Sequence, residues 1–142
     1  KISNSFRCPN SNNIEIIADE YFKYNKLTSL LEAKGGVIIN DNEQDIRIES
    51  NNFFYLKNQE KYFTTGKTKV FIEQRYTIDT KDLFFFRNQN ILSSSKNTSL
   101  KDSLSNNIYK LLNFEFIIPL CYNSCFWGFF IVLKLITEWV AN

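Results

Sequence analysis

Residues 99–134 read SLKDSLSNNIYKLLNFEFIIPLCYNSCFWGFFIVLK and form the most regularly patterned stretch of the chain. Its first part carries five aliphatic residues at helical spacing: Leu100, Leu104, Ile108, Leu111 and Leu112. Ser99 with Asp102 approximates a capping box, so this part predicts an amphipathic helix. Two apolar segments follow, on either side of Asn123-Ser124, and predict a two-stranded hairpin closed by a two-residue turn.

Upstream, residues 19–34 also predict a helix. Asp19 is an acceptable N-cap, the leucines recur at helical spacing, and Gly35 supplies a left-handed stop. Residues 37–39 follow as a short buried strand, while residues 2–7 and 14–17 predict two earlier strands. Residues 43–98 alternate between apolar and polar side chains in several places and predict additional strands. No internal repeat is apparent.

These patterns predict an α/β (α+β) fold. We expect a single domain over residues 1–142, with a central antiparallel sheet, helices packed on it and extra strands inserted at residues 43–98. The chain is long enough to bury a sizeable core without covalent staples. The apolar run at residues 125–133 is too short to span a bilayer, so no membrane insertion is expected in this segment.

Composition excludes several classes of function. The net charge of +2 is too small to indicate a nucleic-acid partner. The chain has no histidine, which removes most zinc sites and the histidine-dependent nucleophile systems. Cys8, Cys121 and Cys125 are too few for a disulfide framework and are interpreted as thiols. We therefore expect no catalytic residue, no metal site and no cofactor.

Two motifs resemble parts of known ligand sites, but their sequences favour a structural role. Gly66-Lys67-Thr68 resembles the end of a phosphate-binding loop, but Lys61 occupies the position of the required earlier glycine, which favours a hairpin turn. Four acidic residues cluster around a loop without the glycine of a calcium site: Asp41, Glu43, Asp45 and Glu49. This cluster predicts a solvated loop.

The helix and hairpin of residues 99–134 resemble the later part of a GAF domain, through Ile118-Pro119-Leu120 and through Gly128 followed by aliphatic residues. The segment at residues 19–39 resembles an earlier GAF element, in which a helix leads into a short strand. The resemblance implies a non-enzymatic sensory or regulatory module, a fragment of a larger cytoplasmic signal-transduction protein. An effector domain would lie in the same polypeptide.

The resemblance also implies a ligand pocket between the sheet and the helices. Four residues would line it or serve equally as core: Leu104, Ile108, Phe116 and Ile118. Three functions stay open. The first is a sensor with a small-molecule ligand, the second is an interaction module or homodimer without a ligand, and the third, which is the least favoured, is an enzyme of unrelated fold.

Overall fold

The structure, a computed structural model, describes residues 4–7, 14–118, 133–135 and 140–141 and shows a protein built from antiparallel strands. One 3-10 turn occurs at Lys57–Gln59, and the described residues contain no α-helix. The strands are β1 Asn4–Arg7, β2 Ile14–Ala18, β3 Tyr21–Asn25, β4 Leu30–Asp41, β5 Ile46–Leu56, β6 Lys61–Ile72, β7 Tyr76–Lys81, β8 Phe84–Phe86, β9 Ile91–Ser94, β10 Thr98–Asp102, β11 Asn107–Leu111, β12 Phe114–Ile117, β13 Leu133–Leu135 and β14 Val140–Ala141.

The predicted α/β fold is therefore wrong, and both predicted helices are strand hairpins. Residues 19–34 contain β3, a turn and the beginning of β4; Leu27 lies in that turn and is 97% exposed. Residues 99–113 contain most of β10, a turn and β11. Asp102 does not cap a helix but accepts a hydrogen bond from the Leu104 amide within the turn, at 3.0 Å. Aliphatic residues spread over two strands and a turn can fall three or four positions apart, and a helix with one apolar face has the same spacing.

Several of the predicted strands are present in the structure. Residues 2–7 and 14–17 overlap β1 and β2, which pair antiparallel as a hairpin would. Residues 37–39 lie in β4, and the alternating residues 46–49 lie in β5. β12 pairs antiparallel with β13, as expected of the predicted hairpin, while its turn at Asn123-Ser124 lies outside the described residues.

The strands form one continuous sheet that is bent into two halves. Sheet half 1 has the order β1-β2-β4-β5-β6-β7-β10-β11-β14, and sheet half 2 has the order β3-β4-β5-β6-β8-β9-β12-β13. β4, β5 and β6 run through both halves, and the registers of β4 and β5 shift where the bend occurs. The two halves face each other, because Tyr76 of β7 contacts Phe116 of β12 across the interior, with ring centroids 5.7 Å apart.

Alternation along the strands creates an apolar interior between the halves. β2 and β4 alternate buried and less buried residues almost without interruption, so that every second side chain points inward. The largest fully buried side chains come from both halves and include Phe53, Tyr62, Phe85, Phe116, Ile16, Ile48 and Ile78. The core therefore consists of side chains enclosed between the inner faces of the two sheet halves.

Bends and turns recur along the chain with a period of roughly 31 residues, contrary to the expectation of no internal repeat. Asn51 and Asp82 occupy equivalent bends, where their side chains accept hydrogen bonds from the amides of Gly36 and Gly66 at 3.4 Å and 2.8 Å. The turns at the far ends of sheet half 2 repeat as well. Their last residues, Ser29, Glu60 and Asn90, all have positive φ.

Gly35 and Gly66 lie at the bends of β4 and β6, and replacing each by alanine should destabilise the protein to a different extent. Gly66→Ala should cost about 1–2 kcal/mol, because φ is +79° but the added Cβ meets no atom within 4 Å. Gly35→Ala should cost about 1–3 kcal/mol more, because its Cβ would lie 2.5 Å from Cγ and 2.9 Å from Cβ of Glu20. Urea unfolding of both variants measures the difference, and equal losses would contradict this account of the bend.

Candidate functional site

The interior between the sheet halves is the largest apolar environment of the described chain and is the candidate site. Phe116 and Ile118 face it, with 0% and 2% of their surface exposed. The two other residues assigned to the predicted pocket do not. Leu104 lies in the β10–β11 turn and is 72% exposed, and Ile108 pairs with exposed Lys101 on the outer face of sheet half 1. Residues 4–7, 14–118, 133–135 and 140–141 contain no α-helix that could form the pocket implied by the GAF resemblance.

Aromatic side chains fill the interior of sheet half 2. The ring of Tyr62 lies 4.7 Å from that of Tyr55, 5.4 Å from that of Phe85 and 5.5 Å from that of Phe53, measured between centroids. These tilted and edge-on contacts are the arrangements that aromatic rings prefer. A ligand that enters this part of the interior must therefore separate the halves or displace rings.

Arg87 joins the free ends of the two halves opposite the bend. It lies beyond β8 in sheet half 2, and its Nε donates to Oδ2 of Asp41, at the end of β4 in sheet half 1, at 3.0 Å. Its Nη2 donates to Glu43 at 2.7 Å, and its Nη1 lies 3.6 Å from Glu60. We call these four residues the Arg87 clasp. It closes the sandwich where the strand ends of the two halves meet.

The clasp corrects the prediction of a solvated acidic loop. Asp41 is only 2% exposed, and a carboxylate buried to that extent needs a cationic partner. Burial alone lowers the pKa of Arg87, but hydrogen bonding to Asp41 and the Asp41 charge outweigh it and raise that pKa above its ordinary value. The guanidinium therefore remains charged throughout the physiological pH range. Arg87-Asn88-Gln89 repeats Lys57-Asn58-Gln59 of the preceding turn, but this similarity indicates a recurring turn and not the contact with Asp41.

A second arginine pair stabilises the ends of sheet half 1. Nε and Nη2 of Arg75 donate to the two carboxylate oxygens of Asp102, each at 3.0 Å, in a bidentate pair. Hydrogen bonding from Arg75 holds the pKa of Asp102 below its ordinary value. The amide of Ser103 also donates to the Arg75 carbonyl, at 3.0 Å. The β6–β7 and β10–β11 turns are therefore joined at the edge of the interior.

The outer face of sheet half 2 carries a row of aromatic residues. Phe54 stacks on Phe63 at 4.8 Å between centroids, and Phe63 faces Phe84 at 6.0 Å. The ammonium of Lys61 lies 5.0 Å from the centroid of Phe84 and 5.3 Å from that of Phe86. These rings are half-buried, so the lysine covers part of an apolar outer face.

Gly66-Lys67-Thr68 is not a hairpin turn, as predicted, but the bend within β6. The Thr68 hydroxyl is buried and lies 2.6 Å from that of Thr64, so it takes part in the interior hydrogen bonding. Cys8, Cys121 and Cys125, like Pro119 and Gly128 of the GAF resemblance, lie outside the described residues. Within the part of the chain that the structure describes, no helix is long and apolar enough to cross a membrane.

Comparison with solved structures identifies a similar fold. LptH from Pseudomonas aeruginosa, the LptA-homologous periplasmic component of the lipopolysaccharide transport device, superposes with a TM-score of 0.60. The match covers 72% of this chain and 74% of LptH, at 12% sequence identity. The fold resembles that of LptH. No protein-family model and no curated protein sequence matches the chain.

This fold overturns the GAF interpretation and what depended on it. A sensory or regulatory module of a signal-transduction protein, with an effector domain in the same polypeptide, is not supported. The same holds for the expected small-molecule sensor or homodimer partners and for the cytoplasmic location, because each rested on a helix-and-sheet fold, whereas the described part of the chain is built from strands. Phe116 and Ile118 belong instead to the interior of a folded sheet.

Proposed function

We propose that this chain binds an amphipathic lipid of the lipopolysaccharide type, with the acyl chains held between the two sheet halves, as a component of a periplasmic transport system. The observation that carries the proposal is the continuous apolar interior between the inner faces of the two sheet halves. The similarity of fold to LptH, a component of a lipopolysaccharide transport device, supports the class of ligand. The proposed role is binding and transfer, without a catalytic step.

The shape of the interior suits acyl chains better than a compact ligand. Inward-facing aliphatic and aromatic residues follow one another across adjacent strands in both halves. The apolar layer is therefore long in the direction perpendicular to the strands. Each methylene group moved from water into such a layer contributes about 0.8 kcal/mol. The interior is filled by side chains in the described structure, so binding requires the free ends of the halves to move apart.

Photocrosslinking tests the proposal by comparing the two faces of the sheet. A photoreactive benzoylphenylalanine is placed at Tyr76, which is 6% exposed at the edge of the interior, or at Phe71 on the outer face. With purified lipopolysaccharide, we expect crosslinking from position 76 and little from position 71. Both variants must first show cooperative unfolding. Equal crosslinking from both positions, or none from position 76, would argue against binding in the interior.

A further inference from the structure

Lys67 and Lys81 form a like-charged pair on the outer face of sheet half 1, next to the bend. They are direct register partners on the neighbouring strands β6 and β7, and both are exposed. Directly opposed residues on antiparallel strands have Cβ atoms roughly 5 Å apart, and like-charged side chains in such a pair destabilise the sheet. An arrangement that costs stability without serving the core is a reason to look for a ligand.

The carboxylates around this pair are already engaged. Glu49 accepts from Nε of Arg47 at 2.8 Å. Asp79 lies 3.7 Å from Nζ of Lys69. The carboxylate of Asp82 accepts from the Gly66 amide at 2.8 Å and lies 4.0 Å from Nζ of Lys96. Among the described residues, neither Lys67 nor Lys81 belongs to an ion pair, so the surroundings retain excess positive charge.

Both lysines line the same concavity. It has a volume of about 520 Å³ and lies over β5, β6, β7 and the residue preceding β10; the other lining residues are Glu49, Thr68, Lys69, Asp79, Thr80 and Asn97. Lys67 and Glu49 also line a neighbouring concavity of about 350 Å³ beside Gly36 and Asn51. The opening is large enough for a phosphorylated group. Asn97 adds amide donors at its edge.

We propose that Lys67 and Lys81 bind a phosphate group here, outside the apolar interior. Two ammonium groups present six N–H donors and two charges, which suits the several oxygens and the double charge of a phosphate monoester. A lipid headgroup and a soluble phosphorylated compound both present this phosphate group, so the site suits either source. This site does not depend on acyl chains binding between the sheet halves, so either proposal can fail alone.

NMR titration of the intact chain with inorganic pyrophosphate, against sodium chloride at equal ionic strength, tests the site. We expect saturable amide shifts centred on Lys67, Lys81 and Asn97. The Lys67→Gln/Lys81→Gln variant should lose affinity by at least about tenfold. The matched control Lys101→Gln/Lys110→Gln removes the same charge from exposed positions on the same sheet half and should change affinity less than about twofold.

Sedimentation with vesicles of phosphatidic acid, which carries a phosphate monoester, or of phosphatidylcholine distinguishes the sources of phosphate. Binding to phosphatidic acid that is lost in the Lys67→Gln/Lys81→Gln variant and kept in the control indicates a lipid headgroup. Saturable pyrophosphate binding without vesicle binding indicates a soluble compound. Equal losses in the two double variants would overturn the proposal, because they would reflect only the net charge. The proposal would also be overturned if neither pyrophosphate nor the vesicles bound saturably.

Discussion

Phe85→Ala is expected to lower the free energy of unfolding by about 3–5 kcal/mol. Phe85 is the central residue of β8 and is fully buried, with its ring against that of Tyr62. Its removal leaves a cavity in the middle of an aromatic cluster whose members belong to three strands. The backbone cannot collapse into this space, because β8 is paired on both sides, with β6 and with β9.

The same strand offers a matched control for this prediction. Phe86 is the next residue, points to the outer face and is half-buried, with the Lys61 ammonium 5.3 Å from its centroid. Phe86→Ala should cost only about 1 kcal/mol. Urea unfolding at constant m-value measures both variants. If Phe86→Ala proved as damaging as Phe85→Ala, the assignment of inner and outer faces in sheet half 2 would be wrong.

Arg87→Met is expected to destabilise the protein by about 3–5 kcal/mol, because it leaves the carboxylate of Asp41 buried without a cation. The hydrogen bonds to Asp41 and Glu43 both disappear, and Glu60 loses its nearby guanidinium. Asp41→Leu alone should also destabilise, since it leaves the guanidinium only partly compensated. The double variant Arg87→Met/Asp41→Leu should recover much of the loss, because an apolar pair removes both charges together.

Arg47→Met provides the comparison for the clasp. Arg47 pairs with Glu49 at 2.8 Å, which lies within the 2.7–3.6 Å range of the clasp distances, but both side chains are more than one-third exposed. Breaking it should cost about 0–1 kcal/mol. If the clasp variants were no more destabilised than Arg47→Met in urea unfolding, Arg87 would not hold the free ends of the two sheet halves together.

The clasp also bears on the proposed function. Lipid entry between the halves requires their free ends to separate, and the Arg87 clasp opposes that separation from the side opposite the bend. Its ion pairs are intramolecular and reversible, unlike a covalent closure. The buried Arg87–Asp41 pair is little screened by salt, so within the clasp it is mainly the contact with the exposed Glu43 that should weaken as the salt concentration rises.

Several strands could be predicted from the sequence, because alternation is a local signal. The segments at residues 14–17, 37–39 and 46–49 have apolar residues at every second position, or a short apolar run, and lie in strands. No comparable local signal excluded the two predicted helices. Leu100 is buried in β10 while Leu104 is exposed in the next turn, yet their separation is the one that a helix would have. The bend and turn motifs recur roughly every 31 residues, but equivalent positions carry different residues, such as Ser29, Glu60 and Asn90, so the repeat is not apparent in the sequence.

Only part of the candidate site could be predicted from the sequence. Phe116 and Ile118 were named as lining a pocket or core, and both are buried in the interior. The GAF resemblance placed them against helices, but the segments predicted to be those helices, residues 19–34 and 99–113, are strands and turns in the structure. Asp41 was named as part of an acidic loop, but its partner Arg87 is distant in the sequence, and nothing local indicates that β4 and β8 end at the same place.

The sequence by itself determined which residues alternate, where glycine, asparagine and aspartate permit a bend, and that the core would be aromatic and aliphatic. These properties depend on single residues and their immediate neighbours. Tertiary structure alone decided that one sheet faces itself, that Arg87 reaches Asp41 and that Lys67 opposes Lys81. Each of these depends on strand register across the sheet, which hydrogen bonding and burial determine collectively and which no single segment encodes.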